Sequence, residues 1–143
     1  MKKNILFFIF LIAVIVASSL IYLHEGFTQD DRAVVIINKS QKNLTPFQIK
    51  KIFKGVSKKF PNGKGIRVLL NSNDSINKEF SRKFLNISLS QFNQSWIKKN
   101  MRDGSPIPRK VSSIIAITLI KNSLSFIGVI KKSEATPDVK VFE

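Results

Sequence analysis

The stretch AVVIIN at 33–38, followed by LTPFQIKKIFKG at 44–55, gives the strongest indication of fold class in this sequence. A short run of β-branched residues bounded by charged positions is typical of a buried strand. In the second stretch Thr45 can cap a helix, Pro46 suits the first helical position and Gln48 can complete a capping box. A strand followed by a well-marked helix is therefore the first unit of the domain.

The segments that follow alternate between strand and helix patterns. Three of them predict strands, the last a short edge strand: 66–70, 126–131 and 139–142. Three others predict helices from apolar spacing and capping residues: 76–84, the stretch that begins at Ser88, and 111–122. The last is rich in Ile, so a strand stays open there as the alternative. This order predicts an α/β domain with three or four strands and helices on both faces of the sheet.

The first 23 residues predict where the protein works. Lys2 and Lys3 precede thirteen apolar residues at 5–17, and small residues follow at 17–19, a pattern typical of a secretory signal peptide. The apolar stretch resumes as far as Leu23, so an uncleaved signal anchor in the membrane stays open as the alternative. Both interpretations place the remainder in the periplasm or cell envelope, anchored to the inner membrane in the second case.

The remainder divides into a polar linker at 24–32 and one domain at 33–143, which is long enough to bury a core without disulfides. The chain has no cysteine, which excludes zinc ribbons, thiol redox motifs and cysteine nucleophiles. His24 is the only histidine and lies at the end of the apolar stretch, so neither a metal site nor a His-based triad is predicted. No serine-hydrolase, P-loop or dinucleotide motif is present. We therefore predict a non-enzymatic protein without cofactor or metal.

The charge balance predicts anionic partners. The chain has 24 Lys and Arg against 9 Asp and Glu, a net charge of +15; without Lys2 and Lys3, 22 against 9 leaves +13. Such a balance favours oxyanions such as phosphate, lipid head groups, envelope polymers or nucleic acid. A generally basic surface is the plainer interpretation, because the lysines are scattered. Nucleic acid is the least favoured partner, because export is predicted and no basic groove studded with aromatic residues is marked.

Polar side chains follow the predicted strand at 66–70 and begin the helix behind it. Backbone N–H groups at a helix start bind anions, and ligands of open α/β sheets gather at the carboxyl ends of strands. The stretch 71–77 therefore predicts a binding site for an anion. Ordinary helix capping by the same residues is the alternative interpretation.

Five stretches of the chain together resemble a known family: VVIIN at 34–38, LTPFQIKKIFKG at 44–55, KKF at 58–60, IRVLLNSNDSIN at 66–77 and SFIGVI at 125–130. They resemble the second lobe of the phosphate-binding proteins of bacterial ABC transporters, which have the type 2 periplasmic-binding-protein fold. The resemblance implies a short version of that fold, a single lobe that follows an N-terminal apolar helix.

The resemblance also implies where a ligand would bind. The residues that it places around an anion are Asn71, Asn73, Ser75, Asn77, Ser112 and Ser113. Asn71 stands where the family has an Arg, and Ile76 replaces a glycine that lets the backbone approach phosphate. Because the bidentate Arg is missing and one lobe cannot enclose a ligand, we expect weak binding of phosphate or a similar oxyanion.

Two functions stay open at this point. The first is an exported, non-catalytic solute-binding-like protein, related to the substrate-binding proteins of phosphate ABC transporters, whose partner could be an ABC permease. The alternative is an envelope interaction module that retains the fold and has lost ligand binding. Its basic surface would bind an envelope protein, an anionic lipid or an envelope polymer, and an uncleaved N-terminal segment would add the membrane as a partner.

Overall fold

The computed structural model describes residues 30–143. The predicted signal peptide or anchor at 1–23 and the linker residues 24–29, His24 among them, lie outside the described residues. Among residues 30–143, no helix combines the length and the apolar character that crossing a lipid bilayer requires.

Residues 30–143 form five strands: β1 (Ala33–Asn38), β2 (Arg67–Asn71), β3 (Arg109–Val111), β4 (Phe126–Lys131) and β5 (Val139–Phe142). The α-helices of this part of the chain are α1 (Pro46–Phe53), α2 (Asp74–Phe80), α3 (Leu89–Asp103) and α4 (Ser113–Asn122). A π-helical turn (Ser81–Leu85) continues α2, and a 3₁₀ turn (Lys132–Glu134) follows β4.

The strands form one mixed sheet in the order β3-β2-β4-β1-β5. β2 runs parallel to β3 and β4, whereas β1 is antiparallel to β4 and β5. The carboxyl ends of β2, β3 and β4 therefore meet at one edge of the sheet, together with the amino end of β1. We call it the carboxyl edge.

Helices cover both faces of the sheet, which confirms the predicted α/β fold. All six residues of β1 are buried, as expected for a strand with helices on both sides. Val35 and Ile37 belong to the apolar cluster beneath α1, α2 and α3, whereas Val34 and Ile36 belong to the cluster beneath α4. Because both clusters lie within residues 33–142, this part of the chain carries a core of its own, the requirement for folding independently.

The two predicted capping boxes are present. Thr45 Oγ1 accepts a hydrogen bond from the Gln48 backbone N at 3.2 Å, and Gln48 Oε1 accepts one from the Thr45 backbone N at 2.8 Å. Ser88 and Gln91 form the same reciprocal pair at the start of α3. Both helices therefore begin where the sequence places their first turns.

The strand count was predicted wrongly: the sheet has five strands, not three or four, because β3 went unrecognised. The helix predicted for 111–122 begins at Ser113, and Val111 is the last residue of β3. β3 consists of Arg109, Lys110 and Val111, and it pairs with β2 over three residues only. A strand of this length is too short to show apolar alternation.

Gly128 in β4 allows α4 to lie close to the sheet. A Cβ atom at this position would be 3.1 Å from Ile120 Cδ1 and 3.5 Å from Leu69 Cβ. An alanine Cβ would require Ile120 Cδ1 to move by a few tenths of an ångström, and a larger side chain would have to displace more of the packed core.

Candidate functional site

The carboxyl edge brings the amino ends of two helices together. α2 begins at Asp74, three residues after the end of β2, and α4 begins at Ser113, two residues after the end of β3. Unpaired backbone N–H groups and the helix dipole favour negative charge at such a place. The arrangement that the sequence predicts for an anion site, which we call the cup (residues 71–77 with Ser112 and Ser113), is therefore present. The side chains in the cup and their hydrogen-bond partners decide whether an anion can bind there.

Asn71 and Asn77 are buried and hydrogen-bonded to each other. Asn77 has no exposed surface; its Oδ1 accepts from the Asn71 backbone N at 2.9 Å, and its Nδ2 donates to the Asn71 backbone O at 2.7 Å. The Asn71 side chain accepts at Oδ1 from the Asn73 backbone N at 2.9 Å. These amides hold the loop after β2 closed, and their polar atoms already have protein partners.

Asn73 and Ser75 are exposed at the start of α2. Asn73 Oδ1 accepts a hydrogen bond from the Ser75 backbone N at 3.0 Å, which is the geometry of a normal N-cap. The backbone N–H that the resemblance would direct at an anion is thus bonded within the helix start.

Ser112 and Ser113 differ in their roles at the start of α4. Ser112 caps the helix, because its Oγ accepts from the Ile115 backbone N at 3.4 Å. Ser113 is buried, receives a hydrogen bond from Asn71 Nδ2 at 2.9 Å and donates its own hydroxyl to the Glu134 carboxylate. A chain of hydrogen bonds therefore runs from Asn71 through Ser113 to a carboxylate on the 3₁₀ turn after β4.

A second carboxylate lies at the start of α2. Asp74 Oδ1 is 2.7 Å from Lys110 Nζ and accepts from Asn77 Nδ2 at 3.1 Å. The hydrogen bonds from Lys110 and Asn77 hold the pKa of Asp74 below its usual value, so this group is ionised at neutral pH. Negative side chains at a helix start satisfy the dipole. Asp74, whose charge is balanced by Lys110, and Glu134 therefore already lie at the two helix starts where a bound oxyanion would lie.

Sequence reasoning missed the charged residues of the cup. Glu134 and Lys110 reach it from the turn after β4 and from β3, and no motif links either residue to the stretch 71–77. Of these charged residues, only Asp74 could have been found from the sequence, because an acidic residue in the first turn of a helix commonly stabilises that helix. Within residues 30–143, no group of three or more His, Cys, Asp or Glu side chains could hold a metal ion.

A second feature of the described chain is a long stretch of sequence that has basic residues and no carboxylate of its own. Residues 32–73 contain ten basic residues and no acidic residue. Among residues 30–143, the basic residues of this stretch that form no ion pair are Lys39, Lys42, Lys50, Lys51, Lys54, Lys59, Lys64 and Arg67. Eight positive charges of this stretch thus have no counter-charge within residues 30–143.

The outer side of α1 concentrates these charges around an aromatic ring. Phe47 is 64% exposed, and Lys51 Nζ lies 4.5 Å from the centre of its ring. At the helical spacing of 3.6 residues per turn, Lys50 and Lys54 fall on the same side. The opposite side carries the buried residues Ile49, Ile52 and Phe53. We call Phe47, Lys50, Lys51 and Lys54 the α1 face.

A comparison with solved structures finds a protein with a similar fold. The chain is similar to the crystal structure of an ABC-type phosphate transport receptor from Vibrio cholerae, with a TM-score of 0.50 and 18% sequence identity. The match covers 82% of this chain and 48% of the receptor chain, so this chain spans about half the length of that protein. No protein-family model matches the chain, and no curated protein matches it.

The likeness defines the class of fold. The chain has an α/β fold like that of a periplasmic binding protein, as the resemblance implied, and its sheet has five strands where three or four were expected. At 18% identity the likeness extends to the fold alone. The receptor's ligand is a property of that protein, and the chemistry of the cup has to be taken from the residues of this chain.

Proposed function

We propose that this chain is an exported, non-catalytic envelope module that retains the binding-protein fold and docks on an anionic surface through the α1 face. It does not capture a free oxyanion. The observation that carries the proposal is the pair of carboxylates, Asp74 and Glu134, at the two helix starts where a solute anion would have to bind. Export rests on the N-terminal sequence pattern.

Two features of the cup support the proposal that this chain has lost ligand binding. The buried side chains of Asn71, Asn77 and Ser113 have protein partners, so a ligand would have to break those bonds before it could form its own. The Asp74–Lys110 pair and the Glu134 carboxylate would also have to be displaced from the two helix starts. Weak phosphate binding, with a permease as partner, is the alternative that the family resemblance favours.

The α1 face supports docking on an anionic lipid surface. Lysines attracted to the negative surface potential of a membrane contribute about 1 kcal/mol each. An exposed aromatic ring beside them is typical of helices that lie at a lipid interface. Phe47 with three lysines fits that pattern, and a protein attached near a membrane would meet such a surface at once.

The test uses residues 30–143 and vesicles of phosphatidylglycerol mixed with phosphatidylcholine, measured by co-sedimentation. We expect binding that falls steeply with salt and is lost on pure phosphatidylcholine. The variant with Lys50, Lys51 and Lys54 all changed to Gln should bind about 100-fold more weakly, from about 3 kcal/mol of lost attraction. A control with Lys78, Arg82 and Lys83 changed to Gln removes the same charge elsewhere and should bind nearly as well as the wild type.

Two results would contradict the proposal. Equal losses in the two triple variants would mean that overall charge, and not the α1 face, determines binding. Calorimetry with inorganic phosphate supplies the second test, because we expect no heat of binding at millimolar phosphate. A saturable signal that disappears in Ser75→Ala would restore the solute-binding function.

A further inference from the structure

A cavity of about 730 Å³ lies at the opposite end of β2 from the cup. Its walls come from both layers of helices: Ile52 and Trp96 line it on one face of the sheet, and Leu119 lines it on the other. The cavity exists because β3 pairs only with Leu69–Asn71 and leaves Arg67 and Val68 without a strand on that side, although β4 pairs with them on the other. Its volume is within the range of about 300–1,000 Å³ that small-molecule sites occupy.

The charged residues that line this cavity are all cationic. They are Lys58, Arg67, Lys99 and Arg109. Lys58 and Lys99 share one counter-charge, the Asp103 carboxylate, with Nζ–Oδ2 distances of 3.5 and 3.3 Å. Neither Arg67 nor Arg109 forms an ion pair with any residue in 30–143. An apolar cavity thus has two guanidinium groups without a counter-charge.

The register of the sheet brings these two arginines together. Arg109 lies opposite Leu69, and Arg67 precedes Leu69 by two residues, so all three side chains project from the same face. Strand spacing and rise place the Cβ atoms of Arg67 and Arg109 about 8 Å apart. Arginine side chains are long enough to converge from that distance on one carboxylate or phosphate group, for which the guanidinium geometry is suited.

The outer edge of β2 does not suit an added peptide strand. Pro106 and Pro108 lie in the segment that leads into β3, and Pro106 lines the cavity. Proline cannot donate to a sheet ladder and is a common device for blocking an edge. The apolar walls and the cationic rim therefore fit a small molecule better than a strand.

We propose that this cavity binds an amphiphile with one apolar chain and one anionic head group, with Arg67 and Arg109 holding the head group. Ile52, Trp96, Leu119 and Phe126 contact the chain. This site is separate from both the cup and the α1 face, and it does not depend on the proposed docking function.

Trp96 gives a direct signal, because it is the only tryptophan of the chain and lines the cavity. The probes are 12-bromododecanoate and 12-bromododecyl phosphate, whose bromine atom quenches the fluorescence of a nearby indole. The uncharged control of the same chain length is 12-bromododecanol. They are titrated into residues 30–143 without vesicles and below the concentration at which they aggregate. We expect saturable quenching by at least one anionic probe, at least tenfold tighter than by the alcohol. Tighter binding of the carboxylate or of the phosphate identifies the head group, and either result supports the site.

Matched variants separate this site from general adsorption. Changing Arg67 and Arg109 to Gln should weaken binding of the anionic probe at least tenfold and leave the alcohol unchanged. Arg82→Gln, which removes an exposed arginine on the π-helical turn, should leave both unchanged. Absence of saturable quenching, equal affinity for acid and alcohol, or an unchanged affinity in the double variant would overturn the proposal. The lysine variants of the α1 face should bind the probes normally, so this proposal and the docking function can fail separately.

Discussion

Replacement of Asn77 by Ala tests whether the cup is a closed structural element or an open ligand site. The Asn77 side chain pairs with both backbone groups of Asn71, at 2.9 and 2.7 Å, in a position without solvent exposure. Each buried polar group left without a partner costs about 1–3 kcal/mol. The substitution should therefore lower the free energy of unfolding by roughly 2–5 kcal/mol.

The assay is urea unfolding of residues 30–143 followed by circular dichroism, with thermal unfolding alongside. For a domain of this size about 1 kcal/mol corresponds to about 4 °C, so we expect Tm to fall by roughly 8–20 °C. Ser75→Ala is the control, since an exposed substitution should change the free energy by less than about 0.5 kcal/mol. An Asn77→Ala protein as stable as the wild type would refute the structural role assigned to this side chain.

Three further predictions concern the packing of α4 on the sheet, the contact between α3 and α1, and the loss of stability at low pH. Gly128→Val should lower the free energy of unfolding by about 1–3 kcal/mol in urea, because its side chain would meet Ile120; an unchanged value would contradict the close packing of α4. Trp96→Phe removes the 2.9 Å hydrogen bond from Nε1 to the Phe53 backbone O and should cost about 1–3 kcal/mol in the same assay; a neutral result would mean that the bond contributes nothing. A hydrogen bond from the Ser105 hydroxyl holds the pKa of Asp103 well below its usual value. Asp103 therefore binds a proton less readily in the folded state than in the unfolded state. Its ionised carboxylate raises the free energy of unfolding above about pH 4, and this contribution is lost as the pH falls below that value. Unfolding measured across pH 2–7 should show this loss, and Asp103→Asn should make the curve flatter; an identical curve would contradict the assignment.

The parts of the fold that sequence predicts correctly are those with local physical signals. β1 runs over Ala33–Asn38 as its apolar pattern indicates, and α1 and α3 begin directly after their predicted caps, Thr45 and Ser88. β3 was missed because its pairing with β2 depends on backbone contacts between distant segments. No run of three residues carries that information.

The cup shows that prediction of function from the sequence has the same limit. The sequence places Asn71, Asn77 and Ser113 in one region, and the structure brings them together. It could not show that Asn77 would bond to the Asn71 backbone, or that Glu134 would reach Ser113 from a turn after β4. Polar residues at a helix start have the same composition whether they bind a ligand or one another, and only their partners in space distinguish the two.

A phosphate titration followed by amide NMR tests whether the cup is closed to free oxyanions. Residues 30–143 labelled with ¹⁵N are titrated with sodium phosphate at constant ionic strength, with sodium sulfate in parallel. We expect that the amide signals of Asp74, Ser75, Ser113 and Ile114 do not shift in a saturable way, because carboxylates of the protein already lie at both helix starts. Saturable shifts confined to these amides would instead show that the cup is an open oxyanion site.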